Sequence, residues 1–233
     1  MTELSGSERA DYVRRMFARL ARNYGRANRW MTWSQDVKWR REVIDRAHLH
    51  LRGRLLDIGS GTGDLALEAL HRDDSIFVVA ADFTPEMMWF GRTREGGKAL
   101  HWLNTDALDL PFSSGTFDAV VSGYLLRNVS DIHRALVEQY RVLKHEGTLV
   151  CLDTTPPPED LWHLPVRLYL RLIIPIIGGW VAGEVEAYRY LPQSTTDFIR
   201  ADDLVECMRR VGFREVGFRR FMGGAMSIHW GVK

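Results

Sequence analysis

The segment LLDIGSGTGDLAL, Leu55 to Leu67, constrains this chain more than any other. An apolar run stops at Asp57, glycines follow at 59, 61 and 63, and a helical pattern begins, which reads as strand, tight turn and helix. Glycine accepts positive φ and lets a ligand approach the backbone, while the helix start offers unpaired N–H groups and the positive end of its dipole. A polar ligand group is expected on that turn.

Several nucleotides suit a bare glycine-rich turn, and spacing separates them. The dinucleotide pattern G-x-G-x-x-G needs glycine or alanine at position 64, where this chain has Asp64. With Asp57 before the turn, the pattern resembles the first motif of class I S-adenosylmethionine-dependent methyltransferases. That resemblance puts the methionine end of the cofactor on the loop at Asp57, Gly59 and Gly61. An acidic loop suits a sulfonium better than a phosphate, because like charges repel. A second apolar run, Ile76 to Ala81, reads as a buried parallel strand ending in Asp82. A carboxylate there is placed to accept hydrogen bonds from both ribose hydroxyls. Asp106 follows Leu100 to Asn104, where the family's third strand meets the adenine amino group. The bland alternative for any one of these is a helix N-cap, and Asp82 does precede Thr84 and Pro85. Three carboxylates, each at a strand end, are harder to explain that way.

At 233 residues, 45% hydrophobic and 26% charged, the chain has room for one large α/β domain with additions, and residues 1–233 are expected to form one unit. Cys151 and Cys207 have neither zinc spacing nor the number for a disulfide framework, which fits a reducing compartment. The start lacks the apolar segment of a signal peptide, and no stretch approaches the roughly 18 apolar residues of a membrane span, so a cytoplasmic protein is expected. The net charge of +1 hides an asymmetry: residues 1–54 carry 13 Lys and Arg against 6 Asp and Glu. Such a segment is either a solvated helix face or an attractor for an anionic surface.

Helical spacing through Val13, Met16, Phe17, Leu20 and Ala21, then through Val43, Ile44 and Ala47, predicts capping helices within residues 1–53. Trp30, Trp33 and Trp39 add area enough to pack helices or line a pocket. Strands are expected near 54–58, 76–81, 100–104 and 117–122, with helices near 63–72 and 85–95 between them. Right-handed crossovers and a mostly parallel sheet follow. Helix Asp131 to Leu143 leads through Gly147 to strand Thr148 to Leu152. Helix 201–211 then precedes an antiparallel pair, Glu215 to Phe221 and Ala225 to Val232. Seven strands match the Rossmann-like sheet of a class I methyltransferase. Residues 156–190 interrupt the pattern with a triple proline and an apolar core from Leu168 to Ala182, either a buried helix or an amphipathic lid over a lipidic substrate.

Four longer segments narrow the reaction. YLLRNVSD (Tyr124 to Asp131), RVLKHEGTLVCLD (Arg141 to Asp153), AGEVEAYRYLPQS (Ala182 to Ser194) and GGAMSIHWGVK (Gly223 to Lys233) resemble the UbiE/MenG family. Tyr24 to Arg40 is similar to its first signature, with Gly25 and Ala27 in place of the usual aspartate and methionine. These enzymes methylate a ring carbon of prenylated quinols in menaquinone and ubiquinone biosynthesis. The resemblance covers nearly the whole chain and implies cofactor contacts from Thr62, Asp82, the pair Asp106 and Ala107, and Gly123, where relatives commonly have serine. His145 replaces a usual proline and Asp153 a usual glutamate.

A quinol carbon attacks a methyl donor only after a neighbouring hydroxyl loses its proton, so a base, direct or through water, is required. Arg127 and Asn128, after the fourth strand, are candidates to polarise the quinol oxygen, the resemblance favouring Arg127 with ordered water. Tyr188 and Tyr190 are the others. Alternatively, Arg127 simply pairs with Asp131. His133 and His229 are read as surface or packing residues, and no metal cluster is expected. The expected partner is a prenylated quinol, with peripheral membrane contact or a homodimer as further uses of the apolar insertion. A methyltransferase for another hydrophobic phenol or polyketide is the alternative, and a non-catalytic cofactor-binding module a more distant one. Nucleic acid is not expected, since GYLLRN stands where an Asn-Pro-Pro-Tyr-type motif would be needed.

Overall fold

The computed structural model describes residues 6–158, 168–169, 172 and 194–233. Three helices, α1 (Gly6–Leu20), α2 (Tyr24–Met31) and α3 (Gln35–Arg46), precede strand β1 (Arg54–Ile58). Alternation follows through α4 (Asp64–Arg72), β2 (Phe77–Asp82), α5 (Pro85–Arg92), β3 (His101–Asn104), β4 (Phe117–Gly123), α6 (Ile132–Val142) and β5 (Leu143–Thr154). The chain closes with α7 (Ala201–Val211), β6 (Arg214–Phe221) and β7 (Met226–Val232). The strands form one seven-stranded sheet in the order β3-β2-β1-β4-β5-β7-β6. β7 runs antiparallel to both its neighbours, β5 and β6, while β1 to β5 are mutually parallel.

The apolar strands read as continuous runs because both faces of the sheet are covered, yet their side chains divide with period two. Leu56, Ile58, Val79, Ala81, Val120, Leu149 and Cys151 join one core with residues of α6 and α7. Leu55, Val78, Ala80, Ala119, Val121, Val150 and Leu152 join the other with Trp39, Val43 and Ile44 of α3 and Leu65, Ala66 and Ala69 of α4. Of the three clustered tryptophans, Trp39 is therefore core, at 3% exposure, while Trp30 and Trp33 stand out at 65% and 75%.

Three expectations need adjustment. α5 ends at Arg92, short of position 95, because the chain turns through Gly96 (φ 74°) into a 3₁₀ turn at Gly97–Ala99. β5 begins at Leu143, directly after α6, and Gly147, expected to precede the strand, lies in a bulge within it. Two steps along β4, Phe117 to Ala119, correspond to five along β5, Leu143 to Thr148, and Glu146 takes φ +62°. α6 starts at Ile132 because the Asp131 carboxylate accepts the Arg134 N–H at 2.9 Å as its N-cap. The insertion expected at 156–190 falls mostly outside the described residues, but Tyr169 ties it to the N-terminal helices. Its hydroxyl donates to the Met31 carbonyl at 2.7 Å and accepts from Trp33 Nε1 at 3.1 Å.

The strand order reverses between β1 and β4, and in open α/β sheets the crevice beyond the carboxyl ends at such a point takes ligands. Trp102 on β3 fixes its geometry from the side. A Cβ on Gly63 would lie 2.8 Å from the Trp102 ring, one on Gly91 would overlap it, and its Nε1 donates to the Gly97 carbonyl at 2.8 Å. Gly97 itself packs so closely that a Cβ would overlap the Gly91 carbonyl oxygen, a backbone atom that cannot rotate away. Gly97→Ala is expected to destabilise the protein by about 1–3 kcal/mol, checked by urea denaturation; unchanged stability would show that this turn yields freely.

Candidate active site

The crevice is a cavity whose floor is the β1–α4 turn. Gly59, Gly61 and Gly63 sit at φ 69°, 56° and 83°, the left-handed region that side chains resist. A Cβ on Gly59 would also come within 2.9 Å of Leu125. The Gly61 N–H donates to Asp82 Oδ2 at 2.7 Å, so the turn is pinned to the end of the neighbouring strand. Asp82 Oδ1 accepts from the Thr84 N–H at 2.7 Å, and burial still pushes this carboxyl above its ordinary range.

Asp57 lies deeper, 1% exposed, with Oδ2 accepting the Ala66 N–H at 3.0 Å near the start of α4. Its other oxygen, Oδ1, is buried with no hydrogen-bond partner among the described residues. Burial outweighs the one backbone bond and raises this carboxyl to about 8. Asp64 behaves differently. Burial opposes its charge too, but Arg40 at 3.2 Å and Arg94 at 2.8 Å outweigh it and hold the carboxyl below its ordinary value.

Most of the expected residues converge on this cavity: Asp57, Gly59, Gly61, Asp82, Asp106, Ala107, Gly123 and Asn128 all line it. Asp106 Oδ1 accepts the Leu108 N–H at 2.9 Å, which orients the carboxylate at its own turn. Two residues are placed otherwise. Thr62 is buried and turned to Arg94, whose Nη1 donates to its carbonyl at 2.8 Å and its hydroxyl at 3.2 Å, so it is not part of the lining. Arg127 is also outside the lining, and it does not pair with Asp131. Its backbone N–H donates to Asp153 Oδ2 at 3.2 Å, its Nη1 donates to the Thr154 hydroxyl at 3.1 Å and lies 3.4 Å from Asp153 Oδ1, and its guanidinium stands 4.9 Å from the Tyr124 ring centre. Tyr188 and Tyr190 lie outside the described residues.

Sequence reasoning missed the wall supplied by the N-terminal helices. Val13 and Phe17 of α1, Tyr24 and Asn28 of α2, and Arg40 of α3 all face the cavity. Tyr124 completes the wall in a left-handed conformation, φ +61°, with its carbonyl accepting from Asn128 Nδ2 at 2.7 Å. Burial raises the hydroxyls of both Tyr24 and Tyr124, so both are protonated donors at neutral pH. Asp36 and Arg40, four residues apart on one helix, were a sequence signal for a charged face, though not for where it points. No cluster of three His, Cys, Asp or Glu side chains suited to a metal occurs among the described residues.

The family model described as the ubiE/COQ5 methyltransferase family matches residues 4–233. The chain is 42% identical over 222 residues to the ubiquinone/menaquinone biosynthesis C-methyltransferase UbiE of Desulfotalea psychrophila, covering 95% of this chain and 90% of the relative. It is 39% identical to a demethylmenaquinone methyltransferase of Thermus thermophilus, covering 93% and 99%. Among solved structures, the fold is similar to a complex of the Haloferax volcanii Trm112 methyltransferase activator with a methyltransferase partner, at TM-score 0.66 and 19% identity, covering 93% of this chain and 96% of that one. A Thermotoga maritima S-adenosylmethionine-dependent methyltransferase gives TM-score 0.61 at 19% identity, covering 94% and 99%.

Because the folded-state value of Asp57 lies above its unfolded value, the group binds a proton more tightly when folded. Its contribution to stability is complete below about pH 4 and is lost as pH rises towards about 8. Asp57→Asn removes that dependence, so the ligand-free variant is expected to gain melting temperature over the wild type as pH rises from 5 to 8. A constant difference across that range would mean that Asp57 is ionised throughout.

Proposed function

The chain belongs to the ubiE/COQ5 methyltransferase family, and from that premise we propose that it methylates a ring carbon of a prenylated quinol, demethylmenaquinol to menaquinol, with S-adenosylmethionine as donor. The observation that carries the cofactor reading is the set of carboxylates at strand ends around one glycine turn, with Asp57 Oδ1 buried and unpartnered on the cavity wall. Those residues fit a ligand with a cationic end and a hydroxylated, aminated end. Asp82 is the residue to accept the ribose hydroxyls, Asp106 with the neighbouring Ala107 to take the adenine edge, and Gly59, Gly61 and Gly123 to admit the methionyl end beside Asp57. Thr62 acts by holding the turn through Arg94. When bound, S-adenosylmethionine supplies an electrophilic methyl group on a sulfonium.

The chain then has to exclude water and orient the quinol oxygen. Val13, Phe17, Leu125 and Val129 give the cavity apolar walls suited to a ring with a prenyl tail. Asn128 is the residue proposed to stand at the quinol oxygen, with the protonated Tyr24 and Tyr124 hydroxyls as further donors there. Arg127 is a positioning residue: bound to Asp153 and Thr154, it stands beside Tyr124. The names of the two relatives above support the quinol as substrate.

Incubating the purified protein with labelled S-adenosylmethionine and reduced demethylmenaquinone of short prenyl length, then weighing the extracted quinone, tests this directly. Ring methylation is expected, and Asn128→Ala should lower turnover at least about tenfold while leaving cofactor affinity by calorimetry nearly unchanged. No product from a protein that binds the cofactor would overturn the quinol assignment.

We also propose peripheral contact with an anionic membrane. Trp30 and Trp33 are exposed next to exposed Arg26, Arg29 and Lys38, and Leu168 and Leu172 flank Tyr169, which bonds Trp33. Amphipathic aromatics beside basic residues suit a lipid interface. No helix among the described residues is long and apolar enough to cross a membrane. The wild type is expected to co-sediment with vesicles rich in anionic lipid and a Trp30→Ser, Trp33→Ser variant much less. A stable dimer by ultracentrifugation with no vesicle binding would assign this face to a second copy instead.

A further inference from the structure

Arg40 carries a charge that its surroundings hold in place without using its directional capacity. The residue is only 9% exposed and lies on the cavity wall with Asp57, Asp64, Tyr24 and Tyr124. Two carboxylates neutralise it, Asp36 Oδ2 at 2.8 Å and Asp64 Oδ2 at 3.2 Å, and both contacts go through the single nitrogen Nη2. Neither contact has hydrogen-bond alignment: Asp36 Oδ2 is without a hydrogen-bond partner, and among the described residues the Arg40 guanidinium donates no hydrogen bond. A guanidinium has five N–H donors in a planar fork, and those of Arg40 that meet no carboxylate stay accessible on the cavity wall, free to take a ligand.

The chemistry of that partner follows from the fork and from the address. Planar paired N–H donors match a carboxylate. Asp64 does not fill the fork, because Arg94 holds its Oδ1 at 2.8 Å and only Oδ2 reaches Arg40, at 3.2 Å through a single nitrogen. Arg40 reaches Asp64, the first residue of α4, so it stands by the glycine turn and Asp57, the end of the cavity assigned above to the methionyl group. We infer that Arg40 receives the α-carboxylate of the cofactor's methionyl end, making it the residue that selects a donor with an intact amino-acid tail. The inference rests on the cofactor reading above and adds a residue to it. Asp36 serves as the counter-charge that keeps the guanidinium on α3 facing the cavity.

Electrostatics make the test sharp. Asp57, Asp64, Asp82 and Asp106 line the same cavity, and by themselves they would favour the more cationic decarboxylated S-adenosylmethionine over the parent cofactor. A preference in the opposite direction therefore calls for strong donors at the carboxylate, and its loss in an Arg40 variant identifies the cationic one. Calorimetric titration of the full-length wild type with each compound is expected to show the parent binding at least about tenfold tighter, the range of a charge-assisted hydrogen bond. Arg40→Gln should lose that tenfold for the parent and change little for the decarboxylated compound. Arg40→Lys, which keeps charge but not the fork, should show a reduced preference and decides the matter if the glutamine variant does not fold. A wild type that binds both compounds equally would overturn the role of Arg40 and leave the cofactor reading standing. Equal weakening of both compounds in Arg40→Gln, or an unchanged preference in Arg40→Lys, would reduce Arg40 to a brace between α3 and α4. A wild type that binds neither would remove the cofactor reading and this inference together.

Discussion

Carboxylates buried at the ends of parallel strands must be desolvated, and the surrounding structure is arranged to meet that cost without neutralising them all. Asp82 receives the Gly61 and Thr84 N–H groups, Asp64 receives two arginines, and among the described residues Asp57 receives one backbone N–H and nothing on its second oxygen. The glycines follow from the same demand, because only a left-handed turn brings the Gly61 N–H to the neighbouring strand while leaving Leu125 room over Gly59. The sheet order supplies the place, and the turn supplies the donors. A cationic ligand there would relieve the remaining deficit at Asp57.

The N-terminal helices turn this open crevice into a chamber. α3 packs Trp39, Val43 and Ile44 into one of the two cores, which fixes Arg40 against Asp64 at the floor. α1 and α2 then bring Val13, Phe17 and Tyr24 over the opening. The basic bias of the first 54 residues thus has two destinations: Arg40 lies buried on the cavity wall, while Arg22, Arg26, Arg29 and Lys38 lie exposed outside. Under the function proposed above, one segment would serve both an apolar substrate and an anionic surface.

What could be read from the sequence was whatever depends on neighbours in the chain. Asp57 and Asp82 were legible because each closes an apolar run that must be a buried strand, and Asp106 because it follows the short edge strand β3, so position at a strand end is local information. Asn128 was legible from its motif, but the partner of Arg127 was not: Asp131 is four residues away and Asp153 is twenty-six, and only the pairing of β4 with β5 brings the latter close. Thr62 turned out to face Arg94, thirty-two residues on, for the same reason. The wall formed by Tyr24, Asn28 and Arg40 depends on how α2 and α3 fold back over the turn, which periodicity does not encode. Within β5 the bulge at Glu146 was masked by Gly147, whose usual role in a turn suggested a later strand start.

In the proposed complex a cationic ligand meets Asp57 Oδ1, which has no hydrogen-bond partner among the described residues. Calorimetric titration with S-adenosylmethionine at pH 7, repeated in buffers of different ionisation enthalpy, counts the protons exchanged on binding. With its carboxyl raised to about 8 in the ligand-free protein, Asp57 is largely protonated at that pH. A cation beside it should expel a substantial fraction of one proton. Binding with no proton release would mean that Asp57 does not face the cationic end, and the orientation assigned to the cofactor would have to be abandoned.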